Sequence, residues 1–99
     1  MPSNKDYLNF VLEQLSGLEK IAYRQMMGEF ILYYNGKIIG GIYDNRLLLK
    51  PAKAAKLLIQ KPVYEKPYKG AKRMLLVEGV DNKSFLEHLF NLIYGELYN

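Results

Sequence analysis

The sequence contains no cysteine, no tryptophan, a single histidine and no long apolar run. The absence of cysteine excludes disulfide bonds, thiolate zinc sites and cysteine nucleophiles, and it fits a reducing compartment. Apolar runs such as Leu47–Leu49 and Met74–Val77 are far shorter than the ~18 residues that a bilayer-spanning helix needs. Polar residues interrupt the first apolar stretch, 7–18, unlike the core of a signal peptide. We therefore expect a cytoplasmic protein without a membrane partner.

The chain has 99 residues, which is enough for one domain and too few for two. Apolar residues make up 49% and charged residues 24% of the sequence, close to the average of soluble globular proteins. At this length the folded chain buries about two-thirds of the surface that the unfolded chain exposes. We therefore expect a single folded domain that spans residues 1–99.

Three segments have the apolar spacing or the end signals of helices. The first is predicted over about 3–16, with Ser3 and Asp6 resembling a capping box. A short helix is predicted to begin at Pro51, and a terminal helix covers about 82–97 behind a cap at Asp81. The terminal stripe contains Phe85, Leu86, Leu89, Phe90, Ile93 and Leu97.

The region between the first two helices is typical of an antiparallel meander. Strands are predicted at 21–27, 29–34, 37–43 and 46–50, and the turn dipeptides Asn35-Gly36 and Asp44-Asn45 favour tight hairpins. A fifth, buried strand is predicted at 74–77. Adjacent glycines, Gly40 and Gly41, indicate a bulge or the close approach of a helix or a ligand.

This element order predicts an α+β fold, because two-residue turns cannot join parallel strands. It runs helix, four-stranded meander, short helix, fifth strand and C-terminal helix. The helices are expected on one face of the sheet, where their leucine stripes are buried. The other face is left for solvent or for a partner.

The segment 24–50 carries an ordered set of residues that resembles a known family. It contains Arg-Gln-Met-Met-Gly at 24–28 and Asp-Asn-Arg-Leu-Leu-Leu-Lys at 44–50. The chain is similar here to the N-terminal domain of the TfoX family, and about half of it follows the pattern well. Departures from that pattern are Met27, Glu29, Ile31 and Leu48. The residues that match the motif are Arg24, Met26, Gly28, Tyr33, Gly36, Gly40, Arg46 and Lys50.

The resemblance implies an α+β domain associated with the regulation of natural competence, without an enzymatic activity or a cofactor. Full-length competence regulators carry a second, C-terminal domain. This chain is expected to be a stand-alone version of the N-terminal domain.

Positive charge is concentrated between Arg46 and Arg73. Nine cations and the single anion Glu65 give this segment a net charge of +8. Because the whole chain has a net charge of +4, the residues outside the segment sum to −4. Cations interleaved with tyrosines are typical of single-stranded nucleic-acid binding. The alternative is a solvated surface whose tyrosines pack on the sheet. The candidate contact residues are Arg46, Lys50, Lys53, Lys56, Tyr64, Lys66, Tyr68, Lys69, Lys72 and Arg73.

Nine tyrosines form a second feature. Because tyrosine suits surfaces that are dry on one side and wet on the other, these residues indicate a homodimer contact or a protein-binding face. Ordinary packing at the sheet margin is the alternative for each of them. The residues concerned are Tyr33, Tyr34, Tyr43, Tyr94 and Tyr98.

No catalytic or metal-ligating constellation is recognisable in the sequence. His88 is expected to be exposed on the terminal helix, without a second histidine or a cysteine to share a metal. The leading hypothesis is a non-enzymatic regulatory or adaptor domain without a cofactor, which binds an unidentified protein partner or a second copy of itself. The alternative is a nucleic-acid-binding module that uses segment 46–73. A small-ligand binder at the glycine-lined part of the sheet ranks lowest.

Overall fold

The computed structural model describes residues 3–99, which form two α-helices, one 3-10 helix and a six-stranded sheet. All neighbouring strands are antiparallel, in the spatial order β1-β2-β3-β4-β6-β5. The α+β class is therefore confirmed. The elements are α1 (Lys5–Gln14), β1 (Ile21–Met26), β2 (Glu29–Tyr34), β3 (Lys37–Tyr43), β4 (Arg46–Leu49), the 3-10 helix (Lys53–Leu57), β5 (Tyr64–Glu65), β6 (Met74–Val77) and α2 (Lys83–Tyr98).

Three two-residue turns join β1 to β4 as a meander. Both residues of each turn have positive φ, as hairpin turns that match the twist of the strands require. Two of these turns, at residues 35–36 and 44–45, are the predicted ones. The third, Met27-Gly28, places a methionine at φ 53°, which is an uncommon conformation for a residue with a side chain.

The core lies between the helices and one face of the sheet. Alternation along β2 buries Phe30 and Leu32 on this face, and the ring of Tyr34 lies against Phe90 of α2. Burial of a leucine or phenylalanine stabilises the fold by about 1.5–3 kcal/mol, so this layer provides most of the driving force for folding. The other main contributors are Leu8, Val11, Leu15, Ile42, Leu47, Leu49, Leu75, Val77, Leu86, Leu89, Phe90 and Ile93.

The glycine pair in β3 adjoins a bulge, as expected. Leu32 pairs with Gly40 whereas Tyr33 pairs with Ile38, which leaves Ile39 as the extra residue. A Cβ atom at Gly40 would collide with the carbonyl oxygen of Leu48 and with Leu49. Only glycine therefore allows β3 and β4 to approach at this point.

Both predicted helix caps are displaced by one residue. Asn4 rather than Ser3 caps α1, and its Oδ1 accepts a hydrogen bond from the amide of Asp6 at 2.6 Å. Asn82 rather than Asp81 caps α2 by accepting from the amide of Phe85 at 3.1 Å. Because Asn, Asp and Ser are nearly equivalent caps, adjacent candidates cannot be ranked from the sequence alone.

The region between β4 and β6 differs from the prediction in two ways. The short helix is a 3-10 helix that begins at Lys53, two residues after Pro51. The connection 61–72, in which no strand was predicted, contains a short additional strand, β5, in which Tyr64 pairs with Leu75. A strand of two residues is too short to show a period of two, which is why the sequence pattern missed it.

We predict that Gly40→Ala lowers the free energy of unfolding by about 1–3 kcal/mol, because the added methyl group overpacks the β3–β4 contact. Urea denaturation followed by circular dichroism measures this change.

Gly95→Ala is the matched control. Gly95 lies inside α2 with no atom within 4 Å of its added Cβ, so alanine there should raise stability by about 0.5–1 kcal/mol. Equal effects at both positions would show that backbone entropy, and not the close approach, governs Gly40.

Candidate functional site

The face of the sheet away from the helices is here called the open face. Strand alternation and the pairing registers place side chains from all six strands on it. The residues on it are Ala22, Arg24 and Met26 from β1, Glu29, Ile31 and Tyr33 from β2, Ile38, Gly41 and Tyr43 from β3, Arg46 and Leu48 from β4, Glu65 from β5, and Met74 and Leu76 from β6.

The segment 66–73 crosses part of the open face and is held there by Arg46. The guanidinium pairs with Glu65 at 2.6 Å and donates to the carbonyl oxygens of Lys66 and Pro67 at 3.5 Å. The ring of Tyr68 then lies 6.4 Å from that of Tyr43. The face left by the helices is therefore partly covered by the chain's own loop, which the sequence did not predict.

Gly41 makes room for this aromatic contact. A Cβ atom at Gly41 would lie 2.7 Å from the ring of Tyr43 and 2.7 Å from the carbonyl oxygen of Phe30. The Tyr43 ring thus lies against the backbone of β3, and it meets the Tyr68 ring at a tilt of 57°. Since the protein's own atoms fill the space at both Gly40 and Gly41, the glycines line no vacant site for a small ligand.

Two grooves flank Tyr68 on the open face and share Tyr43, Pro67 and Tyr68 as walls. The first, of about 480 Å³, is lined further by Met26, Met27, Glu29 and Ile31. The second, of about 410 Å³, extends past the end of β4 to α2 and is lined further by Lys50, Pro51, Ala71, Lys72, Arg73, Met74 and Leu97.

Apolar side chains around the first groove are unusually exposed. Met27 is 97% exposed, Tyr68 65% and Met26 48%.

Burial, with smaller contributions from Tyr68 and Glu29, raises the pKa of Tyr43 above its usual value of 10.0. The Tyr43 hydroxyl therefore stays neutral near pH 7 and remains a hydrogen-bond donor.

Glu29 anchors one end of this groove. Its carboxylate accepts from the Ser3 hydroxyl at 2.6 Å, from the Ser3 amide at 2.9 Å and from the Asp44 amide at 3.1 Å. The glutamate that departs from the family pattern thus ties the chain before α1 to the β3–β4 turn.

The structure divides the ten predicted contact residues by their surroundings. Arg46 holds Glu65, and the Lys50 ammonium donates to the Tyr98 hydroxyl at 3.0 Å. Tyr64 is half-buried against the core. The remaining residues are exposed, namely Lys53, Lys56, Lys66, Tyr68, Lys69, Lys72 and Arg73.

These exposed cations do not form one surface. Lys72 and Arg73 line the second groove of the open face. Lys53 and Lys56 instead lie by Tyr64 and Glu96, and Glu96 accepts from the amides of Lys53 and Ala54 at 3.0 and 2.8 Å. Whether any of them binds a partner stays a prediction.

Three of the singled-out tyrosines fasten α2 to the sheet. Ring centres of Tyr34 and Tyr94 are 5.1 Å apart, and those of Tyr94 and Tyr98 are 5.5 Å apart. The Tyr34 hydroxyl donates to Asn91 at 2.6 Å, and the Tyr98 hydroxyl donates to the carbonyl of Ile38 at 2.7 Å. Tyr33 and Tyr43 instead lie on the open face.

Sequence reasoning missed Met27, Ile31, Pro67 and Met74 as parts of this surface. The only signal in the sequence was Gly28, because glycine favours the positive φ of the turn in which Met27 is exposed. Gly28 and Gly36, singled out as motif residues, have φ of 83° and 80° and serve the hairpin turns.

Across residues 3–99, no group of three or more His, Asp or Glu side chains could hold a metal ion. His88 is exposed on α2, as expected. The same part of the chain has no helix with the length and apolar content needed to cross a bilayer.

Comparison with known proteins identifies the family. The model of the TfoX N-terminal domain matches residues 13–91. The chain is also 34% identical over 80 residues to an uncharacterized 12.7 kDa protein in the trpE 5′ region of Spirochaeta aurantia. The aligned residues make up 81% of this chain and 70% of that protein. The family match covers β1 to β6 and the first nine residues of α2, beyond the half of the chain that carries the motif. The chain therefore belongs to the TfoX N-terminal domain family.

Proposed function

We propose that this chain is a non-enzymatic adaptor domain that binds an acidic protein segment with apolar side chains across its open face. The observation that carries the proposal is the exposed apolar surface of Met26, Met27 and Tyr68 beside two preformed grooves. Exposed apolar patches with polar rims mark interaction sites in soluble proteins. A role in the regulation of competence or transcription follows from family membership and is part of the proposal.

The charge around the grooves selects the chemistry of the partner. Arg24, Lys72 and Arg73 are exposed, and within residues 3–99 none of them forms an ion pair. Of the nearby carboxylates, Glu65 is paired with Arg46, whereas Glu29 is held by neutral amides and keeps its negative charge at the end of the first groove. The positive rim therefore lies at the second groove, where Lys72 and Arg73 favour an acidic partner.

The apolar part of the surface suits side chains of different shapes. Methionine is unbranched and polarizable, so Met26 and Met27 can repack around a bound residue. Tyr68 stands between the grooves and offers a large, rigid contact on both of its sides. An acidic segment with apolar residues on either side of Tyr68 would fill both grooves.

We predict that peptides selected from a random library on the immobilised protein are enriched in Asp or Glu and in large apolar residues. Met27→Asp should weaken their binding at least about tenfold, which corresponds to about 1.4 kcal/mol, because it places a carboxylate in the apolar groove. Fluorescence anisotropy with labelled peptides measures the change.

Leu57→Asp provides the matched control, since Leu57 is 76% exposed on the 3-10 helix and lines neither groove. It should leave peptide affinity unchanged. Equal losses for Met27→Asp and Leu57→Asp, or selected peptides without acidic residues, would contradict the proposal.

The nucleic-acid alternative is favoured by one feature, the exposed ring of Tyr68 in a loop with Lys66, Lys69, Lys72 and Arg73. Stacking on this ring and cation contacts to phosphates would hold a single strand. In that case affinity falls steeply with salt, and replacing the four cations by alanine flattens the slope. Titration of labelled single-stranded DNA and RNA measures both, and no binding at ~50 mM salt rejects the alternative.

A further inference from the structure

The outer edge of β1 is the longest unpaired strand edge among the described residues. β1 is the first strand in the sheet order, and its six residues pair with β2 alone. Five of the six, from Ala22 to Met26, are exposed. A strand in this position presents unpaired N–H and C=O groups to any other strand that approaches.

The directions of these groups follow from the hairpin. Residues of an antiparallel strand bond alternately to one neighbour and to the other side. The Lys20 carbonyl accepts from the Asn35 amide at 3.0 Å, and Met26 and Glu29 close the two-residue turn. Ala22 and Arg24 therefore bond to β2 as well, whereas Ile21, Tyr23 and Gln25 direct their backbone groups outward.

The two edges of the sheet are protected to different degrees. At the far edge, β5 has only two residues and lies between Pro62 and Pro67, which prevents strand addition. β1 contains no proline and its register with β2 is regular from Ile21 to Met26. Its only charged side chain is Arg24, on the open face.

The helix layer stops short of this edge. A groove of about 500 Å³ lies between the end of α1 and β1, and its walls include Leu12, Leu15, Leu18, Ile21 and Tyr23. Tyr23 contacts Phe30 edge-on and remains 42% exposed. Any strand added to β1 would direct alternate side chains over this groove.

We propose that two copies of this chain pair through the outer edges of β1, antiparallel and centred on Tyr23. In this register Tyr23 pairs with Tyr23 of the second copy, and Ile21 pairs with Gln25. Each pair exchanges two backbone hydrogen bonds, so all outward groups of the strand are satisfied.

Charge and shape favour this register. Arg24 faces Ala22 of the second copy and Lys20 faces Met26, so no cation lies opposite another cation. The side chains of Tyr23 and Gln25 from the second copy project over the groove beside α1. The symmetry axis runs perpendicular to the sheet, so both open faces lie on the same side of the dimer. Because pairing through β1 does not cover the open face, dimerisation and adaptor binding can be tested independently.

We predict that the native chain forms a dimer of twice its 11.5 kDa mass in size-exclusion chromatography with light scattering at tens to hundreds of micromolar. Gln25→Pro should weaken the dimer at least tenfold, because it removes an outward N–H and no bond to β2. Gln25→Ala, which keeps the N–H, should still dimerise. Circular dichroism checks that both variants fold.

A second measurement uses the absence of cysteine from the chain. In the proposed register two Tyr23 Cα atoms lie about 5.5 Å apart, within disulfide reach, so Tyr23→Cys should cross-link to a dimer under mild oxidation. Met26→Cys is the control, because its two copies lie far apart at opposite ends of the paired strands. A monomer at every concentration overturns the proposal. A dimer that survives Gln25→Pro, or one that Met26→Cys captures instead of Tyr23→Cys, also overturns it.

Discussion

The packing of α1 and α2 against one face of the sheet is the constraint on which every other feature depends. It uses the leucine and phenylalanine side chains of β2, β4 and β6, and successive residues of a strand point to opposite faces. Once Phe30 and Leu32 are buried, Ile31 and Tyr33 must lie on the open face. The same alternation places Met26, Tyr43 and Arg46 there. A functional surface on this protein is therefore a consequence of which stripe the helices cover.

The open face is partly covered by segment 66–73, which Arg46 holds in place, and not by a second layer of helices. Arg46 occupies the end of β4, where its guanidinium reaches both Glu65 of β5 and the carbonyls that begin segment 66–73. An ion pair as exposed as Arg46–Glu65 contributes at most about 1 kcal/mol to the free energy of unfolding. Its main effect is therefore to position segment 66–73. It holds Tyr68 over Tyr43, whose ring in turn needs Gly41 beneath it. Without this chain of contacts the two grooves would be one shallow surface.

Helix and strand existence could be predicted from the sequence because long amphipathic stripes and turn dipeptides are local signals. The stripe of α2 and the turns at 35–36 and 44–45 show this directly. The site could not be predicted to the same extent. Charge counting singled out Arg46, Lys50 and Tyr64, but Glu65, Tyr98 and the core engage these three side chains. Such pairings join residues 19 to 48 positions apart, which no local pattern records. Met27 was missed because a turn methionine has no periodic partner.

The two ends of the strand order behave differently, and this difference has a physical origin in the chain's connectivity. β5 is inserted within a connection that must also cross the open face, so prolines and a two-residue length suit it and protect its edge. β1 follows α1 directly and must hold the β1–β2 hairpin, whose tip carries Met27. A proline at Ala22 or Arg24 would remove a backbone hydrogen bond to β2 and so weaken the strand that supports this tip, whereas a proline at Gln25 would not. The exposed Met27 and the unpaired outer edge thus both result from the position of β1 in the sheet. Separate substitutions at Met27 and Gln25 can distinguish the effects of the two features.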